Sequence, residues 1–497
     1  MSNAKRMAAL LLAALLALTA CGSGSGSKED SAQPDGGSDA VESGQAEETE
    51  PADPGAFVPE GVGYDGQTIR FLTSSAYNDG NTSEIAPDAD GYQPGEIIPE
   101  AVIERNNLVY EKIGVELEAI PTGGSEWSSY QKILENSVAS GVNDYDAICG
   151  SVYGAYKSAV KQLLVNLAGV DTLDLSHPWW SQRSRKALDF GDTSSIIYYM
   201  NGDINYFDNW GTSCIFFNKD FLKDYGYDAP YDLVRQYKWT WDTMKTMADG
   251  MYRDIDADGK KSFEDAYGYV ANWHVMERLM PSMDLPILYK NEEGDLLINE
   301  TEYFVNAAET LYAYFSNDMN VWLDGGSYAG IFTRGDAAFS EDNLYYIRRA
   351  SGDLESDYGI LPYPMWEEGK QEYFCTTSEA YATVVGITLT ADKAMIGTVL
   401  DVMGAYSPQT ITKAVIDNGA MIRNARDEDT AEMISVIMNS TIYPYNLVVS
   451  WAEVDTIFHG RLMNNMNLDY ISTAAKMRKP IQKGAEKDFE KLRDPKG

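Results

Sequence analysis

Histidine, cysteine and positive charge are all scarce in this chain. Its 497 residues include three His and four Cys, and 39 Lys and Arg face 76 Asp and Glu, for a formal charge of −37. Such a field repels nucleic acid and anionic headgroups, so no nucleic-acid partner is expected. No HExxH, GxSxG or GxxxxGK[ST] pattern occurs, and His177, His274 and His459 have no partners at catalytic or metal spacing. Each reads as a structural or surface residue. Paired carboxylates for glycoside hydrolysis stay open, since abundant acids are not evidence of a pair. Cys149, Cys214 and Cys375 lack CxxC spacing, and two of them lie in apolar strand-like runs. Neither a zinc site, a thioredoxin-like motif nor a functional disulfide is expected.

Residues 1–20 combine a basic start (Lys5, Arg6) with an apolar run, Met7–Leu18, and a small residue before Cys21. This reads as a secretory signal, too short for a stable membrane span. Leu18-Thr19-Ala20-Cys21 resembles the bacterial lipoprotein box, which implies cleavage before Cys21 and lipid on its sulfur; the alternative is an ordinary signal with a chance Cys. Residues 21–60 follow as Gly, Ser, Glu, Asp and Pro with almost no apolar side chain. Such a segment cannot repay its ordering entropy and reads as a disordered acidic tether. The expected location is the extracytoplasmic face of the cell membrane, lipid-anchored.

What remains exceeds what one core usually organises, so two lobes are expected. Thr68–Leu72 reads as a strand, and Pro99 to Gly114 as a helix with its start and stop signals. Val115–Ile120 alternates as a strand, Trp127–Ala139 repeats apolar residues at helical spacing, and Tyr145–Cys149 is strand again. Strands separated by helices argue a parallel α/β sheet, whose ligands bind beyond the carboxyl ends of the strands. That places Tyr77, Trp127 and Tyr153 in candidate loops.

The centre of the chain is Ile196–Asp242. It reads as a strand (Ile196–Met200), an exposed aromatic loop with Tyr206, Phe207, Asn209 and Trp210, a buried strand (Cys214–Asn218), and a short helix stopped by Gly226. Phe216-Phe217-Asn218-Lys219-Asp220-Phe221-Leu222, then Pro230-Tyr231 and Lys238-Trp239-Thr240-Trp241-Asp242, resemble the family 1 extracellular solute-binding proteins, sugar-capturing components of bacterial ABC importers. Pro178-Trp179-Trp180, Gly335-Asp-Ala-Ala-Phe339 and Leu361-Pro-Tyr-Pro364 resemble further phrases of that family. The resemblance implies a two-lobed periplasmic-binding-protein-like (type II) α/β fold with a hinge and an interlobe cleft. By it, lobe 1 comprises residues 61–206 with 383–426, and lobe 2 residues 207–382 with 427–497. Tyr381–Leu389 would carry the chain back to lobe 1, and Val399–Ile422 would be helical there. Partners implied are a carbohydrate ligand and the transmembrane subunits of an ABC permease; the protein itself is expected to be a monomer and not an enzyme.

Asp254-Ile-Asp256-Ala-Asp258-Gly259-Lys260-Lys-Ser262-Phe-Glu264-Asp265 reproduces calcium-loop spacing. Acids at one, three, five and twelve converge, and Gly at six permits the sharp turn. Asp at twelve with Ser at nine is closer to dockerin-type loops than to EF-hands. Asp254, Asp256, Asp258, Lys260, Ser262 and Asp265 are the candidate ligands of one structural Ca²⁺; the alternative is an acidic solvated turn.

With 12% aromatic residues, including 33 Tyr and 10 Trp, the chain is rich in flat rings. Most should pack in cores. Sugars present apolar C–H faces to rings and hydroxyl edges to Asp, Glu, Asn or Gln. Trp210 with Asn209, Trp273 with Asn272, Tyr77 with Asn78, and Tyr381 with Glu379 each place both types in one segment. Glu341, in the family's ligand-facing Ser340–Asn343 loop, and Trp451 are added by resemblance. The reading is a lipid-anchored protein that captures a carbohydrate, with an oligosaccharide favoured, and hands it to a permease. A secreted lipoprotein glycoside hydrolase and a calcium-dependent polysaccharide-binding adhesin are the alternatives.

Overall fold

In a computed structural model of the protein, the described residues are 53–74, 80–87, 96–122, 130–346, 356–378, 381–418, 427–449 and 451–494. Strand β1 (Gln67–Thr73) pairs in parallel with β2 (Val115–Pro121) and with β3 (Ala147–Ser151). The helix between β1 and β2, Ile97–Ile113, ends where Gly114 turns left-handed at φ 66° and donates its N–H to Tyr110. A Cβ-bearing residue pays for that conformation, which is why the sequence stops there. β2 keeps Glu116 and Glu118 off the core by alternation, whereas β3 is buried throughout.

The chain then leaves this sheet through residues 196–212. Ile196–Met200, expected as a strand, is buried extended chain with a single bridge, Met200 to Val385. Its neighbouring carbonyls bond to loops instead: Ile196 accepts from Phe190 at 2.9 Å and Ile197 from Leu167 at 2.6 Å. The exposed aromatic loop expected next is in fact a buried one-turn helix, Phe207–Trp210, with Trp210 only 3% exposed. Glu84, from the first lobe, accepts the N–H groups of Tyr206 and Phe207 at 2.7 and 2.8 Å and so fixes where that turn begins.

A second sheet follows, built from β4 (Ser213–Asn218) and β5 (Tyr267–Asn272). The chain next makes the small hairpin of β6 (Leu288–Lys290) and β7 (Leu296–Ile298). It returns to the second sheet as β8 (Val321–Asp324), β9 (Ala337–Asn343) and β10 (Tyr358–Leu361), in the order β10-β4-β9-β5-β8. β5 runs parallel to β8 and β9, so Asn272, Asp324 and Asn343 end on one edge, where β4 begins at Ser213. Trp239 and Trp241, from the phrase that carried the family resemblance, are fully buried; Trp239 packs on Phe339 and donates to the Pro362 carbonyl. Helix Trp241–Ala248 ends just before Gly250, which turns to φ 75°.

Past β11 (Cys375–Thr376) the chain re-enters the first sheet as β12 (Thr383–Ile387), antiparallel to β3, giving the order β12-β3-β1-β2. The helix expected over Val399–Ile422 is interrupted: Lys393–Tyr406 is helical, Pro408–Thr412 forms a wide turn, and Lys413–Asn418 resumes. Helix Glu428–Asn439 lies against β10 of the second sheet, and β13 (Thr441–Ile442) pairs with β11. The C-terminal helix Tyr470–Leu492 starts on the second lobe, where the Tyr470 hydroxyl donates to the Asn299 carbonyl, and ends on the first, where the Leu492 carbonyl accepts from the Tyr198 hydroxyl. The architecture is a two-lobed α/β fold in which each lobe has its own sheet. Among the described residues, no helix is long and apolar enough to cross a membrane.

Candidate functional site

The carboxyl edge of the second sheet opens on a cavity of about 410 Å³. Asn272, at the end of β5, Asp342 and Asn343, at the end of β9, and Tyr328, Tyr345 and Tyr381 all line it, with Gly325 and Gly326 leaving room beside them. The loop after β8 is held rigid by Asp324, which accepts the N–H groups of Gly326 and Tyr328 at 2.7 and 3.0 Å and the Trp322 indole N–H at 2.8 Å. Tyr328 in turn donates to Asp342 at 2.9 Å. Burial pushes the Asp342 carboxyl up to about 6, and the charge of Glu341 adds to the shift.

Tyr345 and Tyr381 stand 5.6 Å apart, ring centre to ring centre. Behind them, Phe207 packs 5.2 Å from Tyr381, and Trp210 packs 6.0 Å from Tyr345. Gly211 permits this: a Cβ there would fall 2.1 Å from that of Tyr381. Rings backed by rings and edged by Asn, Asp and Tyr form an amphipathic surface suited to a flat, hydroxylated ligand.

The residues singled out from the sequence divide among three places. Asn272 and Tyr381 line this cavity, and Trp273 abuts it, its indole 4.0 Å from where a Gly325 Cβ would stand. Trp210 is one layer back and supports Tyr345 rather than lining the space. Glu341 is fully buried; Oε1 accepts from Tyr363 at 2.5 Å and from Arg278 at 3.1 Å, so the acid that reaches the cavity is its neighbour Asp342. Tyr153 and Trp451 share a separate groove of about 340 Å³, beyond the carboxyl end of β3. There Lys157 lies 3.9 Å from the Tyr153 ring centre and the Trp451 indole donates to Asp488 at 2.8 Å. Asn209 lines a third cavity, of about 250 Å³. Tyr77, Trp127, Glu379 and Cys21 lie outside the described residues.

Tyr328 and Tyr345 were not singled out from sequence. Tyr345 follows two residues after the Ser340–Asn343 phrase, and reading past the strand end would have reached it. Tyr328 follows Asp324-Gly-Gly, a turn signal with no aromatic pairing of its own.

In the acidic loop, Asp254, Asp256 and Asp265 each offer a carboxylate oxygen within 4.8 Å of the others. Gly259, at φ 76°, donates to Asp254 at 2.9 Å, and the amides of Asp258 and Lys260 donate to Asp256 and Asp258. Asp265 is fully buried and accepts from the amides of Ile255 and Ser262. Burial alone would raise Asp265, but these hydrogen bonds, with one from Tyr252, hold it below the usual carboxylate range. The Asp258 amide lowers Asp256, while desolvation and the neighbouring carboxylates outweigh it and leave Asp256 raised.

The family model described as bacterial extracellular solute-binding protein matches residues 89–394. No curated protein matches the chain in sequence. Among solved structures, the sugar-binding protein MalE from Xanthomonas citri has a TM-score of 0.56 at 13% identity, covering 86% of this chain and 98% of its own. An ABC substrate-binding protein from Listeria monocytogenes in complex with cycloalternan gives 0.51 at 15%, covering 86% and 100%. UgpB from Mycobacterium tuberculosis in complex with glycerophosphocholine gives 0.51 at 14%, covering 86% and 99%. At these identities the likeness is one of fold.

Proposed function

This chain belongs to the bacterial extracellular solute-binding protein family, and on that premise we propose that it captures a neutral carbohydrate, an oligosaccharide by preference, between its lobes and delivers it to an ABC permease. The observation that carries the ligand class is the pair Tyr345 and Tyr381 beside Asp342, Asn272 and Asn343. One ring comes from the second sheet's edge and the other from the segment returning to the first sheet. A ligand bridging both lobes favours the closed state by its differential affinity, and the permease reads that state. The division into residues 61–206 with 383–426 and 207–382 with 427–497 fits the two sheets, with the C-terminal helix bridging them.

Two other chemistries fit less well. A phosphodiester such as the one bound by the mycobacterial relative needs cationic partners, yet the described lining residues include no Lys, Arg or His, and Asp342 would repel it. A glycosidase needs two carboxylates about the scissile bond. Asp342 is the one acid among the described lining residues. A thermal-shift screen of the mature protein against a panel of glycans and glycerophosphodiesters tests this reading: neutral sugars are expected to raise Tm, and a response to phosphodiesters alone would overturn it.

In the same proposal, Cys21 carries lipid and holds the protein on the membrane. The Asp254–Asp265 loop takes one Ca²⁺, with Asp254, Asp256, Asp258, the Lys260 carbonyl, Ser262 and Asp265 as the ligand set. Its oxygen-only chemistry suits a hard cation. The ion's role is structural: it removes carboxylate repulsion and stiffens the chain that leads into β5 and so to Asn272 and Trp273.

A further inference from the structure

The one-turn helix Phe207–Trp210 has two faces. Phe207 and Trp210 back the rings of the ligand cavity, whereas Asp208 and Asn209 line the different cavity of about 250 Å³. With open space on that side, packing alone does not fix where the turn sits. Hydrogen bonds do: Glu84 accepts the Tyr206 and Phe207 amides at its start, and Asp208 is tied to three stretches of chain.

From the crossing segment itself, Asn201 Nδ2 donates to Asp208 Oδ2 at 2.9 Å and Thr212 Oγ1 donates to the Asp208 carbonyl at 3.1 Å. From the segment returning to the first sheet, Thr377 Oγ1 donates to the same carbonyl at 3.2 Å. From the stretch after helix Glu428–Asn439, Tyr443 donates its hydroxyl to Oδ2 at 3.0 Å and accepts from Asn201 Nδ2 at 2.9 Å. The amide of Asn201 is fixed in this sense, because a reversed one would set oxygen against carboxylate. Backbone bonds join the same stretches: Ser378 donates to the Gly211 carbonyl at 3.0 Å, and Thr377 to that of Ile442 at 3.2 Å. Asp208 is 5% exposed, and burial foremost raises its carboxyl to about 6 against the bonds from Asn201 and Tyr443. At pH 7.5 it is charged, so both bonds are charge-assisted. Removing it would leave two buried donors unpaired at once.

We propose that Asp208 is a positioning residue for the ligand cavity: by tying the two crossing segments to residues 440–443, it holds Phe207 and Trp210, and through them Tyr381 and Tyr345, at the spacing a sugar meets. Hinge motion is absorbed by a few residues in loops or at element ends, and segments tied to one side chain move together rather than singly. Severing the tie should therefore loosen all three stretches at once. The effect on affinity rests on the sugar reading, whereas the coupling of the three stretches does not.

The test compares the mature protein at pH 7.5 with Asp208→Ala, Asp208→Asn, Tyr443→Phe and a control, Asp203→Ala, whose carboxylate lines the same cavity but accepts from Thr412 outside the tie. The probe is the neutral glycan of the panel that raises the wild-type Tm most. Asp208→Ala should raise its dissociation constant at least tenfold and Tyr443→Phe at least threefold. Asp208→Asn, which keeps an acceptor oxygen for both donors, should recover most of the loss, and Asp203→Ala should stay within twofold. Without glycan, amide exchange read by mass spectrometry should quicken at least threefold over residues 208–212, 375–378 and 440–443 together in Asp208→Ala and in Tyr443→Phe. A lower Tm with affinity unchanged, or faster exchange confined to the mutated stretch, would make Asp208 a structural residue only. An equal loss of affinity in Asp203→Ala would likewise overturn the tie. If no glycan binds the wild type, the sugar reading fails and exchange alone decides the tie. Should Asp208→Ala fail to fold, Tyr443→Phe decides, and unaltered exchange over 208–212 and 375–378 there overturns it.

Discussion

Tyr345, just beyond the carboxyl end of a second-sheet strand, and Tyr381, on the segment that returns to the first sheet, hold their rings 5.6 Å apart at 41°. Their spacing depends on both crossing segments, because Phe207 and Trp210 back them from the other one. Replacing Tyr345 or Tyr381 by Ala should weaken sugar binding by about 1–3 kcal/mol each, the range for a ring at a binding hot spot. Tyr303→Ala, at an exposed position on a helix, should leave affinity unchanged. Titration calorimetry of the three variants checks this; equal losses at all three would remove the rings from the site.

Protonation supplies a second expectation. Desolvation raises the carboxyls of Glu84 and Glu277 to about 7, despite the backbone amides that each accepts. Between the ordinary Glu value and about 7 the native state keeps a proton that the unfolded chain has lost, so stability falls as pH rises through that window. The wild type should therefore melt lower at pH 8 than at pH 5.5 once its other groups are matched. Glu277→Gln, which keeps an acceptor for the Phe458 and His459 amides, should flatten the profile. An identical slope in the variant would show that Glu277 is ionised throughout.

Calcium should stabilise the second lobe. With a dissociation constant of about 10⁻⁴–10⁻³ M, usual for extracellular modules, a 100-fold excess of ion contributes about 2.7 kcal/mol. EDTA should lower Tm, and Asp256→Ala should both lower it and remove most of the response. Sugar affinity should fall only modestly, through loosening of the Trp273 wall. Superimposable melting curves with calcium and with EDTA would reduce the loop to an acidic turn.

Cys21→Ala should release the protein from membranes or leave its leader uncut. Fractionation of cells that express it gives the answer, and a normally processed, membrane-retained product would contradict lipidation.

Much of this was legible in the sequence, for reasons that differ by element. Gly114 and Gly250 end their helices where only a left-handed residue fits, and β2 announces itself by alternation. Ile196–Met200 misled because β-branched and aromatic residues signal burial as readily as pairing; its carbonyls bond to Leu167 and Phe190 in loops. Tyr206 to Trp210 misled in the opposite sense, since Glu84, more than a hundred residues earlier, supplies the cap that folds them inward. Along β9 the family phrase located the right strand end, but neighbouring side chains on a strand face opposite ways. Glu341 turns to Arg278 and Tyr363, and Asp342 to the cavity.

The central claim is that the space between Tyr345, Tyr381 and Asp342 takes a neutral carbohydrate and returns it unchanged. Calorimetric titration of the mature protein with neutral oligosaccharides, each mixture then analysed for products, tests this most directly. The expected result is saturable one-to-one binding to at least one glycan, lost in a Tyr345→Ala, Tyr381→Ala double variant, with the sugar recovered intact. Binding that survives the double variant, or shortened sugars in the mixture, would contradict it.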